Sequence, residues 1–147
     1  MRLAITARRA ERPGPGADQE IISIRPDSVV TTKQRLPYFI GVSQSTAGAC
    51  GVSMNLVVIP PGAAAEPHYH RGFETAIYVL EGEVETRYGR NLAKSTVNRA
   101  GDFLFIPADV PHQPINRSST EPARAIVARN DASEQESVVP YDPAGDL

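Results

Sequence analysis

The chain lacks most of what would build a covalent or redox framework, since one of its 147 residues is cysteine, Cys50, and none is tryptophan. A single cysteine cannot close an intrachain disulfide. Small secreted domains commonly rely on several, so a reducing, cytoplasmic setting is expected. Long apolar runs are missing as well. Near the N-terminus Leu3, Ala4 and Ile5 stand between Arg2 and Arg8, far too few for a signal-peptide core or a membrane span. Excess positive charge is also absent. With 15 Lys and Arg against 17 Asp and Glu the chain offers no basic footprint for a phosphate backbone, so no nucleic-acid partner is expected. Histidine is scarce, with only His68, His70 and His112 in the whole chain.

What is present describes one ordinary globular domain. Apolar residues make up 41% and charged residues 22%, and the length suits a single core. Residues 1–19 include the run Arg8, Arg9, Ala10, Glu11, Arg12, Pro13, Gly14, which has too little apolar surface to repay ordering, and read as a loose arm. From residue 20 onward short alternating runs are separated by turn residues, and no helical stripe of useful length appears. Strands are predicted over 20–24, 37–42, 50–59, 74–80, 83–88, 103–106, 112–116 and 123–129. Pro60, Pro61 and Gly62 stop one of them, and Glu81-Gly82-Glu83 reads as a tight hairpin. In 74–80, Thr75, Ile77 and Val79 share one face, with Ile77 and Val79 taken as interior, and Glu74, Ala76 and Tyr78 share the other. The expected fold is all-β, a sandwich or barrel over 20–133. Residues 134–147 would add an edge strand or an arm laid on a partner.

His68 and His70 stand two residues apart. On an extended strand both imidazoles project from one face, about 7 Å apart at Cα, which suits one shared ion. His112 follows the turn at Pro107–Pro111 and opens another predicted strand, so an antiparallel barrel could bring it opposite the pair. His-x-His by itself is a common coincidence, and a lone histidine is more often a surface or satisfied polar residue.

The surroundings of these histidines resemble the two motifs of the cupin family. Gly62, His68, His70 and Glu74 fit the first, G-x5-H-x-H-x3-E, with Gly82 as its usual ending. Gly101, Pro107, Asp109, His112 and Asn116 fit the second, G-x5-P-x-G-x2-H-x3-N, with Asp109 where the pattern has glycine. Asp tolerates the positive φ such a turn needs. The resemblance implies a single-domain cupin double-stranded β-helix, a jelly-roll barrel, usually dimeric, with motif one at 62–82 and motif two at 101–116. It implies a metal held by His68, His70, Glu74 and His112. One spacing conflicts: counted forward from His70 the acidic ligand is Glu74, whereas counted back from Gly82 its place falls on Thr75. A bulge between Glu74 and Ile77 would aim the carboxylate inward.

A centre of three imidazoles, with or without a carboxylate, accepts one divalent transition metal ion, Fe, Mn, Ni, Co, Cu or Zn. The expected activity is that of an enzyme on a small oxygenated molecule: a dioxygenase on an enol or diketone, or an isomerase of a hydroxy-carbonyl or sugar-phosphate compound. The alternative is a non-catalytic module holding a sugar or small carboxylate around a structural metal. Arg71, Arg87, Arg90 and Lys94 could receive an anionic substrate, though each alone is more simply a solvated rim charge. A small-molecule substrate, a homodimer and no membrane association complete the expectations.

Overall fold

The computed structural model describes residues 19–133 and 137–146, so the expected N-terminal arm lies outside the described residues apart from its last position. In chain order the strands are β1 (Val30–Thr31), β2 (Pro37–Val42), β3 (Ser53–Ile59), β4 (His68–His70), β5 (Thr75–Glu81), β6 (Glu83–Tyr88), β7 (Lys94–Arg99), β8 (Phe103–Ile106), β9 (His112–Asn116), β10 (Ala123–Arg129) and β11 (Val138–Pro140). A single helical turn, α1 (Gln44–Ala47), follows β2. It is capped by Ser43, whose hydroxyl accepts from the Thr46 amide while the Thr46 hydroxyl accepts from the Ser43 amide.

The strands form two antiparallel sheets, β1-β2-β3-β10-β5-β8 and β11-β4-β9-β6-β7. Two facing antiparallel sheets with chain crossing between them make the expected jelly roll. Between them lies a core of Leu36, Tyr38, Val57, Ile59, Ala65, Val84, Ala123, Ala125 and Val127. Burial of each large aliphatic side chain there stabilises the fold by about 1.5–3 kcal/mol.

Three features depart from the sequence reading. Residues 20–24 form no strand, and Ile21 is 97% exposed, because no strand among the described residues offers them a ladder. A strand over Lys94–Arg99 is present although its polar composition gave no signal, and it pairs along its whole length with β6. Gly82 does not close a hairpin. β5 pairs with β10 and β8, whereas β6 pairs with β7 and β9, so Gly82 carries the chain from one sheet to the other. Its φ of +82° is left-handed, and a Cβ there would sit 2.8 Å from the Pro122 carbonyl oxygen.

Near the C-terminus, β11 lies at the edge of the smaller sheet. β11 pairs with β4, setting Val138 opposite His70 and Pro140 opposite His68.

Candidate metal centre

The site begins with strand phase. In β4 the alternation buries His68 and His70 and leaves Tyr69 half-buried between them. β9 runs antiparallel beside it with His112 directly opposite His68. Two connections fix the relative position of the two motifs. The Asp109 amide donates to the His70 carbonyl at 3.1 Å, and the Asp109 carboxylate accepts from the Gly72 amide at 2.9 Å. Asp109 takes φ +65°, the left-handed conformation expected of the residue replacing the motif's glycine.

All three imidazoles are almost wholly buried, at 4%, 3% and 4% exposure for His68, His70 and His112. Their ring centroids are 4.4–5.7 Å apart, and one nitrogen from each lies within 4.8 Å of the others. Nδ1 of His68 meets the Glu66 carbonyl at 2.7 Å, and Nδ1 of His112 meets the Val110 carbonyl at 2.9 Å. A carbonyl only accepts, so both rings carry their proton on Nδ1 and keep the Nε2 lone pair free. Backbone support of this kind fixes the tautomer and aim of a metal-ligating histidine.

Burial lowers all three pKa values: to about 3 for His68, where His112 adds a push; to about 2 for His70, where Arg129 adds a larger one than its neighbouring histidines; and to about 4 for His112. The rings are therefore neutral at physiological pH. Three neutral, converging nitrogens, two of them on rings of supported tautomer, are a fitting donor set for one divalent transition metal ion.

The fourth expected ligand does not join them. Glu74 is exposed, and its amide N–H donates to the Asn130 side chain at 2.8 Å. β5 runs without a bulge from Thr75 to Val79, opposite Arg129 to Ala125 on β10. The register slips only at Leu80, too late to turn Glu74 inward. Thr75, 2% exposed, is the residue that faces the histidines' cavity. The extra residue of the first motif is thus absorbed in the loop before Thr75, and the position counted back from Gly82 is the inward one.

The cavity beside the histidines has a volume of about 50 Å3 and is walled mainly by aliphatic side chains. Its polar lining includes Gln34, Tyr38, Thr75 and Arg129, and no Asp or Glu among the described residues takes part. Arg129 is only 4% exposed. Its Nε donates to the Thr75 hydroxyl at 3.0 Å, and its guanidinium also bonds the Tyr38 hydroxyl. Burial raises the Tyr38 pKa, so the phenol stays protonated. None of the four cations considered from sequence reaches this space. Arg87 pairs with Glu85, Arg71 contacts the Tyr69 hydroxyl, and Arg90 and Lys94 are exposed. The sequence did carry a trace of Arg129: it ends the inward row Ala123, Ala125, Val127, where a charged residue is out of place.

Comparison with known proteins agrees with the fold. The model of the cupin domain family matches residues 55–129, and the chain belongs to that family. Germin-like protein subfamily 2 member 4 of Arabidopsis thaliana is 32% identical over 83 residues, which is 54% of this chain and 37% of that protein. The polyketide cyclase RemF from Streptomyces resistomycificus superposes with a TM-score of 0.66 at 19% identity, over 86% of this chain and 89% of the other. The oxalate decarboxylase of Lactobacillus farciminis, solved as a formate complex, gives 0.65 at 22% identity over 77% of this chain and 33% of its own. This chain therefore spans little more than a third of the germin-like protein and a third of the decarboxylase. The likeness to the two solved structures is one of fold.

Proposed function

We propose that the chain is a metal-dependent enzyme in which His68, His70 and His112 hold one divalent transition metal ion and the adjoining cavity takes a small oxygenated substrate. The observation that carries this reading is the convergence of three buried, neutral imidazoles, two of which, His68 and His112, have their Nε2 lone pairs left free by backbone hydrogen bonds at Nδ1. Bound there, the ion supplies Lewis acidity and open positions for oxygen donors.

The chain's own residues choose between the two chemistries considered. Isomerisation of a hydroxy-carbonyl compound needs a base to lift a proton from carbon. Among the described residues the cavity has no carboxylate, Tyr38 is held protonated, and the histidines are committed as ligands. Oxidation of an enol or diketone by dioxygen asks less of a side-chain base, because such a substrate loses its acidic proton readily. We therefore favour the dioxygenase. Thr75 and Arg129 shape one wall, Ile77, Val79 and Val127 exclude water, and a volume of about 50 Å3 restricts the occupant to a few heavy atoms. The missing base also favours the second reading, a non-catalytic module that holds a small carboxylate or sugar.

Metal content after chelation and reloading, followed by O2 uptake on a panel of small enols and keto acids, tests this. Stoichiometric metal with O2 consumption is expected. His112→Ala should lose most of the metal, and wild-type metal content in that variant would overturn the site. Metal without turnover, aerobic or anaerobic, would favour the binding module.

We further propose a homodimer formed through the outer face of the six-stranded sheet. Leu56, Ile126, Tyr78 and Phe103 lie in one cross-strand row and Met54, Ala128, Ala76 and Phe105 in the next, all on the side away from the core. Phe103 is 80% exposed and Phe105 58%. A contiguous apolar patch of this kind marks an interaction surface. No helix among the described residues is long and apolar enough to cross a membrane.

A further inference from the structure

We infer that Arg129, aided by the Tyr38 hydroxyl and the Gln34 amide, receives the carboxylate of a small hydroxy acid inside the barrel. The inference rests on the reading above in taking this cavity for the substrate chamber.

Arg129 is the last residue of β10, and its strand phase sends the guanidinium inward. It is 4% exposed and, among the described residues, forms no ion pair with a carboxylate. A buried cation ordinarily sits beside an anion, because low dielectric makes an uncompensated charge costly. Here the groups that bond it are neutral, the Thr75 hydroxyl at 3.0 Å and the phenol of Tyr38, and Asp131 acts on it only through space, without an ion pair and from outside the cavity lining. The family pattern puts its carboxylate at the position Thr75 occupies, so the chain itself withholds the negative charge that would balance both Arg129 and a dication. Burial accordingly holds the guanidinium below its ordinary pKa. An anionic ligand would supply what the wall lacks, and a planar guanidinium matches a carboxylate best.

Gln34 narrows the ligand further. It is 2% exposed, lines the same cavity, and donates from Nε2 to the Tyr38 hydroxyl at 3.1 Å, while its Oε1 is buried without a partner. A buried acceptor left unmade is costly, and a ligand hydroxyl would satisfy it. Carboxylate and hydroxyl within about 50 Å3 describe an acid of a few carbons. Gln34 and His68 also line a cleft of about 350 Å3 that includes Lys33, Arg35 and Glu66, giving the approach more positive than negative charge.

Glycolate and its neutral analogue glycolamide discriminate the charge at constant size. Each is titrated into the full-length chain, metal-free and zinc-loaded, while the Arg129 Nε–H resonance is followed by 1H–15N NMR. Glycolate is expected to shift that resonance saturably and to bind at least tenfold more tightly than glycolamide. Arg129→Gln should weaken glycolate at least tenfold with metal stoichiometry and circular dichroism unchanged, and Arg129→Lys should restore part of the loss. If Arg129→Gln does not fold, the glycolate and glycolamide titrations of the wild type decide alone. Equal affinity for the two ligands, no glycolate binding in either form, or full glycolate affinity in a folded Arg129→Gln variant overturns the inference. Loss of metal binding with charge discrimination intact would sink the metal-centre reading and support this one.

Discussion

A single side-chain direction separates the site expected from the motif from the site the fold builds. Glu74 and Thr75 are neighbours, and only one of them can face the barrel interior. The inward residue is Thr75. Glu74→Gln is therefore expected to leave metal affinity within about twofold, as for other surface substitutions. A tenfold drop in a metal-competition assay would show the exposed carboxylate to be a ligand after all.

The histidines themselves set a pH dependence. In the folded chain their pKa values are about 3, 2 and 4, while in the unfolded chain each titrates near 6.5. Below pH 6.5 the unfolded state binds protons the metal-free folded state does not, so stability falls with pH. Three such groups give a limiting slope of about 4 kcal/mol per pH unit, reached well below 6.5 but above the folded values. Set against a typical stability of about 5–15 kcal/mol, the metal-free protein should lose much of its stability before pH 4. Urea melts of the metal-free chain at a series of pH values check this. A stability unchanged between pH 7 and 4.5 would contradict neutral buried imidazoles.

At the scale of elements, the turns at the ends of the motifs hold the sheets in register. Asn116, 2% exposed at the end of β9, donates to the carbonyls of Ile59 at 3.0 Å and Glu121 at 2.8 Å, and accepts from the Ser118 amide at 3.0 Å. Asn116→Ala would strand those groups and is expected to cost about 2–4 kcal/mol, read as a fall in the urea midpoint with unchanged slope. Gly82→Ala puts a Cβ into the Pro122 carbonyl at a left-handed φ, and a loss of at least about 2 kcal/mol is expected in the same measurement. Strands with clear alternation were legible at this scale. β7 was not, because Lys94–Arg99 is a polar strand held by its ladder with β6, and pairing leaves no periodic mark on such a run.

For the whole molecule, the aromatic face of the larger sheet is the feature with the most consequence. Tyr78 and Phe103 pack at 4.7 Å between ring centroids and stand open to solvent on the edge of the sheet. Replacing both Phe103 and Phe105 by Asp is expected to reduce the mass by light scattering from twice 15.9 kDa to the single-chain value, with circular dichroism unchanged. A wild type that is already monomeric at micromolar concentration would remove the dimer.

The sequence by itself determined the class of fold, the two motifs, their three histidines and the left-handed turn at Asp109. Each of these is written in local spacing: a period of two along a strand, a glycine or proline at a turn, and histidines at fixed distances from both. The tertiary structure alone decided which of Glu74 and Thr75 turns inward, that Gly82 links two sheets instead of closing a hairpin, and that Arg129, Tyr38 and Gln34 share the cavity with the histidines. Those outcomes depend on which strands pair and in what register. A slip of one residue exchanges the inside of a strand for its outside, and no local spacing records where that slip falls.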